Sequence, residues 1–177
     1  SLHAVLMAEV SSKKQLSECR ILVQGAGAIG LLCSLILSKI KDNNNITISD
    51  PNNLRLKECS KYIDCKLVDP SDKEINIDRF DIVFDTVGLE VSRHQAISVV
   101  KPGGCIIHIG LTQPSGQFNF RKATLQEITF IGTYCYTNND FKNTIQILTN
   151  KEIGDLNWVE YRDLKEGAQA FKQIHDG

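Results

Sequence analysis

Arg20-Ile21-Leu22-Val23-Gln24 runs directly into Gly25-Ala26-Gly27-Ala28-Ile29-Gly30. A short apolar run that stops at glycine reads as a buried strand. From Ala28 to Ile40 the pattern turns helical, with Leu32, Leu35, Ile36 and Ile40 on one stripe. A G-x-G-x-x-G motif therefore stands where a strand meets a helix. Gly25 permits the tight turn, Gly27 has no Cβ to hold off a pyrophosphate, and Gly30 lets the helix approach the sheet. The N–H groups and dipole of the helix start would then hold the phosphates. Asp50 follows 20 residues beyond Gly30, at the end of the next strand, Ile46-Thr47-Ile48-Ser49. A carboxylate there is placed to accept hydrogen bonds from both ribose hydroxyls. It favours NAD, because a 2′-phosphate would meet like charge and residues 51–53 hold no Arg. Arg55 falls inside the following helix, where its guanidinium could lie over an adenine face. A methyltransferase loop usually carries an acid two residues before its first glycine, and that position is Val23. A flavin site usually carries Glu where Asp50 stands.

Outward from this motif the chain alternates. Leu2–Val10 reads as a short helix, Ser11–Ser17 as a polar linker, and Asn43–Asn45 as a turn. A helix is expected from Pro51 and Asn52 to about Lys61, a strand at Lys66–Val68, and a loop at Asp69–Asp72. Asp81–Asp85 reads as a strand, Val91–Val100 as a helix, Lys101-Pro102-Gly103-Gly104 as a tight turn, and Cys105–Ile109 as the next strand. Glu127–Gly132 is a sixth strand after a polar loop, and Asp140–Leu148 and Lys165–Ile174 are amphipathic helices. Apolar strands alternating with helices predict an α/β fold, a doubly wound six-stranded parallel sheet of Rossmann type with helices on both faces. Ligands bind at the carboxyl ends of such strands, which brings forward Thr86 and Val87 after the fourth and Ile109, Gly110 and Leu111 after the fifth. His108, inside an apolar strand, reads as a satisfied core histidine, and Trp158 as packing or interface.

The composition is that of a globular protein. In 177 residues, 20 Lys and Arg face 21 Asp and Glu, and 42% of residues are hydrophobic. One core that buries roughly 70% of the unfolded surface is within reach, and two large ones are not. Near-zero net charge gives no footprint for nucleic acid or anionic lipid. The longest apolar stretch, Ala28–Leu37, falls short of the roughly 20 residues of a membrane span. Six cysteines at positions 19, 33, 59, 65, 105 and 135 include no C-x-x-C pair, and His3, His94, His108 and His175 are scattered. The expectation is reduced thiols in a cytoplasmic protein, with no metal site.

Taken in order, Leu2-His3-Ala4-Val5, the glycine motif, Asp50 with Arg55, Asp85-Thr86-Val87-Gly88, Lys101-Pro102-Gly103-Gly104, Ile109-Gly110-Leu111, Ile131-Gly132-Thr133-Tyr134 and Ala168-Gln169-Ala170-Phe171 form one pattern. It resembles the cofactor-binding half of the medium-chain, zinc-type alcohol dehydrogenases, in particular the sorbitol and threonine dehydrogenase-like branch. The resemblance implies NAD as cofactor. Gly25, Gly27, Ala28, Ile29 and Gly30 would bind beside the pyrophosphate, and Asp50 and Arg55 would hold the adenosine. Ile109, Gly110 and Leu111 would line the nicotinamide, with Tyr134, Cys135 and Tyr136 approaching it. Cys135 stands where that branch often carries arginine, and Glu160–Leu164 departs from the family's His-Arg-Phe-Pro-Leu. The resemblance also implies a catalytic domain outside this sequence that supplies the zinc ligands, so no catalytic residue and no metal ligand is expected on this chain. Residues 1–136 would be the NAD-binding domain, and residues 137–177 a helical segment returning towards that catalytic domain. The implied whole is an enzyme moving hydride between a secondary alcohol or polyol and NAD, and a homo-oligomer paired through the sixth strand. The rival expectations are a zinc-free quinone reductase and a non-enzymatic NAD-sensing domain.

Overall fold

The computed structural model describes residues 1–40, 45–72, 75 and 79–176. Among them six strands form one parallel sheet: β1 (Ile21–Gln24), β2 (Ile46–Ser49), β3 (Lys66–Val68), β4 (Phe80–Asp85), β5 (Val100–His108) and β6 (Thr129–Gly132), in the order β3-β2-β1-β4-β5-β6. Every residue of β1 and β2 is buried, as two-sided helix cover of a parallel sheet requires. One face carries α1 (Leu2–Ser11), α2 (Ala28–Leu37) and α3 (Asn53–Cys59), around Val5, Leu31, Leu35, Leu56, Ile82, Phe84 and Ile107. The other carries α4 (Glu90–Val99), whose Ala96, Ile97 and Val99 pack on Leu22, Phe80, Val83 and Ile106. The expected doubly wound Rossmann architecture is the observed one.

The strand order reverses between β1 and β4. Chains leaving those two strands diverge to opposite faces, so a crevice opens at their carboxyl ends. Local signals set the helix starts around it. Asn52 Oδ1 accepts from Leu54 N and Arg55 N, at 2.9 and 3.3 Å, and caps α3. Thr137 and Asp140 form a reciprocal capping box on α6 (Asn138–Thr149), which is followed by α7 (Gly167–Asp176).

Several expected boundaries move. The α2 helix ends at Leu37, short of Ile40. The linker contains a 3₁₀ turn, Leu16–Glu18, because Leu16 buries its side chain. Lys101–Gly104, expected as a turn before the fifth strand, lies inside β5. Phe80 pairs with Val100 and Ile82 with Cys105, so these four residues are an excursion within the ladder, made possible by Gly103 at φ +71°. The polar loop before β6 contains a short helix, α5 (Phe120–Leu125), capped by Asn119. The Asn43–Asn45 turn falls, apart from Asn45, outside the described residues.

Candidate functional site: the crevice at the strand-order reversal

The three motif glycines meet three different geometric demands. Gly25 sits at φ +97°, and a Cβ there would lie 2.6 Å from Thr86 Oγ1. A Cβ on Gly30 would lie 1.9 Å from the Gly25 carbonyl oxygen, so α2 packs directly onto the turn. A Cβ on Gly27 would meet nothing within 4 Å and would project into open space. Gly27 is the N-cap of α2 and supplies no side-chain cap, leaving the first-turn N–H groups of that helix to an external acceptor. An anion fits this cradle.

Asp50 is buried at the end of β2, and its carboxylate is engaged with the chain itself. Oδ2 accepts from Ala26 N and Oδ1 from Asn52 N, both at 2.8 Å. Each carboxylate oxygen keeps a second acceptor direction. Thr86 donates its hydroxyl to Gln24 O at 2.6 Å, which wedges the β4 loop beneath the glycine turn. Burial, with the Asp50 charge nearby, pushes the Cys59 thiol up to about 11, and its Sγ faces Ala26 O from below.

Nine of the fourteen predicted residues line one cleft of about 390 Å³: the five motif positions, Asp50, Arg55, Thr86 and Val87. The cleft continues past Gly25, Pro51, Val87 and Leu89 into an apolar slot of about 360 Å³ reaching Pro70 and Gln95. Ile29 also lines a separate apolar cavity of about 450 Å³, together with Ile109, Tyr134 and Cys135. Gly110 and Leu111 line neither space. Gly110 is pressed against Val87 and Gly88, and Leu111 is exposed.

Sequence reasoning missed how the loops after β4 and β5 are joined. Asp85 is wholly buried, and its Oδ1 accepts from Val87 N and Gly88 N, at 3.1 and 2.9 Å. Its Oδ2 lies 3.0 Å from His108 Nδ1. Arg93 donates to Gly88 O and Ser115 O, strapping the following loop down. His108 is satisfied, as expected, and is the last residue of β5. The signal available in sequence was the pair of strand-terminal positions, 85 and 108. Leu89, Pro51 and Pro70 carried no signal beyond their closeness to the motifs. In the apolar cavity, Thr133 Oγ1 is buried without a partner. Among the described residues no three His, Cys, Asp or Glu side chains gather as a metal-ligand set. The cysteines are unbridged, and burial pushes Cys105 up to about 11 and Cys65 up to about 12.

Residues 28–150 match the family described as zinc-binding dehydrogenase. A probable D-xylulose reductase A of Neosartorya fischeri is 28% identical over 193 residues, covering 100% of this chain and 51% of that relative. The D-xylulose reductase of Saccharomyces cerevisiae is 25% identical over 167 residues, 87% of this chain and 47% of that relative. The chain thus spans about half the length of the curated relatives it matches. The acetophenone reductase of Geotrichum candidum, solved in complex with NAD, superposes with a TM-score of 0.86 at 19% identity over 99% of this chain and 49% of that one. The benzyl alcohol dehydrogenase of Acinetobacter calcoaceticus gives 0.84 at 15% identity, over 99% and 52%.

Proposed function

Because the chain belongs to the zinc-binding dehydrogenase family, we propose that it is the NAD-binding part of an enzyme moving hydride between a secondary alcohol or polyol and NAD. The observation that carries this is the contrast within the glycine turn, where the site of Gly30 is closed by backbone at 1.9 Å and that of Gly27 is open. Such a turn serves a ligand that must touch main chain. In this reading the α2 amides take the pyrophosphate. The outward lone pairs of Asp50 take the ribose hydroxyls, while its inward ones keep the glycine turn in place. Arg55 covers the adenine, whose apolar faces fit the slot beside Pro51 and Pro70. Ile109, Tyr134 and Cys135 surround the nicotinamide side, and Gly110 and Leu111 contribute main chain to it. Bound NAD supplies the hydride acceptor, and the work of this chain is to hold and orient it. No metal-ligand set occurs among the described residues, and no step assigned to this chain passes through zinc.

Residues 1–136 are assigned to dinucleotide binding and 137–177 to a return segment towards a catalytic part of the enzyme. The outer edge of β6, last in the strand order, is assigned to pairing with a second copy. The unbridged cysteines support a reducing, cytoplasmic setting. No helix among the described residues is long and apolar enough to cross a membrane.

Calorimetric titration tests the reading. NAD+ binds, and NADP+ binds more weakly because its 2′-phosphate meets Asp50. Absence of NAD+ binding, or tighter NADP+ binding, overturns it.

A further inference from the structure

A dinucleotide with its phosphates on the α2 amides and one ribose on Asp50 has its other nucleoside over β4 and β5, on the far side of β1. Beneath that half lies a network centred on Asp85 and His108, neither of which lines the crevice. Asp85 and His108 end neighbouring strands and stand directly opposite in register. A carboxylate only accepts, so the imidazole donates through Nδ1 to Asp85 Oδ2, at 3.0 Å. That bond leaves Oδ1 for the N–H groups of Val87 and Gly88. The main-chain oxygen of Asp85 takes Ile109 N and Gly110 N, at 2.9 and 3.0 Å. One residue thereby holds both loops. The loops also meet face to face, since a Cβ on Gly88 would lie 2.1 Å from Gly110 O and one on Gly110 would lie 2.2 Å from the Val87 carbonyl carbon. They have no slack to adjust separately. The other side of the imidazole is backed by the Phe130 ring, 5.5 Å away between centroids.

We propose that His108 is a positioning residue for the nicotinamide half of the cofactor. It fixes the plane of the Asp85 carboxylate, and through it the spacing between Val87–Gly88 and Ile109–Gly110, without touching the ligand. The inference rests on the dinucleotide reading above and goes beyond it, since 108 was read from the sequence as a core position. Removing the donor leaves Oδ2 buried and unpartnered, and a carboxylate in that state turns to recruit a new donor. The Val87 and Gly88 amides move with it.

The test compares NAD+ with ADP-ribose, which keeps the adenosine, phosphates and second ribose and lacks the nicotinamide ring. His108→Leu fills the same space beside Phe130 without a donor, and His108→Asn restores a donor at the Nδ1 position. The expected result is NAD+ affinity at least fivefold lower in H108L, ADP-ribose affinity within twofold of wild type, and NAD+ affinity in H108N within twofold. Equal losses for both ligands, or no loss, overturn the inference while wild-type NAD+ binding leaves the dinucleotide reading standing. A wild type that binds neither ligand overturns both. Should H108L fail to fold, the imidazole ¹⁵N resonances of the wild type decide. They shift on adding NAD+ and stay on adding ADP-ribose if His108 senses the nicotinamide half, and the reverse or no difference overturns the inference.

Discussion

Asp50 and Asp85 lie on either side of β1: Asp85 is the last residue of β4, opposite Gln24, and Asp50 stands one residue beyond Ser49, the β2 residue opposite Gln24; both are buried. Each spends its charge on main-chain N–H groups, Asp85 on two of the turn that follows β4, and Asp50 on one of the turn after β2 and one of the glycine turn after β1. The difference lies in the remaining acceptor directions. Asp50 accepts one N–H at each oxygen and lines the cleft. Asp85 crowds two N–H groups on one oxygen, turns the other to His108, and has no exposure at all. Two identical residues beside the ends of the strands flanking β1 thus divide the labour. One is a strut with an acceptor direction left over on each oxygen at the cleft, and the other is a strut alone. Burial alone does not separate these roles, whereas the count of occupied lone pairs does.

The sharpest way to break that division is Asp85→Ala. It strands the Val87 and Gly88 amides and the His108 donor in a buried site, and is expected to cost about 3–4 kcal/mol of stability. Thermal or denaturant unfolding reads this directly. A loss below 1 kcal/mol would mean that water replaces the carboxylate and that Asp85 is no strut. Gly30→Ala comes next, at about 3 kcal/mol, since its Cβ meets a backbone oxygen that cannot move without opening the glycine turn, which Asp50 holds through Ala26 N. Gly27→Ala, with open space around its Cβ, is expected to change stability by under 1 kcal/mol and to lower NAD+ affinity instead. Asp50→Ala should weaken NAD+ binding by about 1–3 kcal/mol through lost charged hydrogen bonds. If Asp50→Ala lowers stability more than Asp85→Ala does, the two roles have been assigned the wrong way round.

This contrast also marks where reading from sequence reaches and where it stops. The glycine turn was legible because each demand is local: positive φ at 25, an open approach at 27, a close approach at 30. Asp50 was legible because its distance from Gly30 is set by one helix and one strand. The Asp85–His108 pair was not, because the partners are 23 residues apart and meet through the β4–β5 register. That register itself hides the four-residue excursion at Lys101–Gly104, so counting along the chain could not align them. The helix Phe120–Leu125 was missed for another reason: it is six residues long with no residue fully buried, too short for a periodicity to show. Gly110 and Leu111 follow their strand as expected, yet the close contact between Gly110 and the Val87–Gly88 turn leaves them outside both spaces.

A third aspartate, at the opposite end of β4, extends the comparison and carries the smallest effect. Asp81 is held by cations rather than by an imidazole. Its Oδ2 accepts from Arg20 N and from Lys101 Nζ, and its Oδ1 from Lys14 Nζ, all at 2.9 Å. Burial alone would raise its pKa, but the Arg20 N–H and the two ammonium groups outweigh this and hold it at about 2, against an ordinary 3.8. The folded chain therefore binds fewer protons than the unfolded one between those values. The stabilisation is fully present above the unfolded pKa and drains away as pH falls through the folded one. Both lysines reach into solvent, which screens the pairs and limits the contribution to about 1 kcal/mol. Unfolding midpoints followed from pH 5 down to pH 2 should show this loss, and Lys101→Met should flatten it more than Lys14→Met, because Lys14 is the more exposed partner. No flattening by either substitution would indicate that the Arg20 amide, and not the charge pairs, keeps this carboxylate ionised. Asp81 would then join Asp85 as an aspartate whose main-chain partners decide its role.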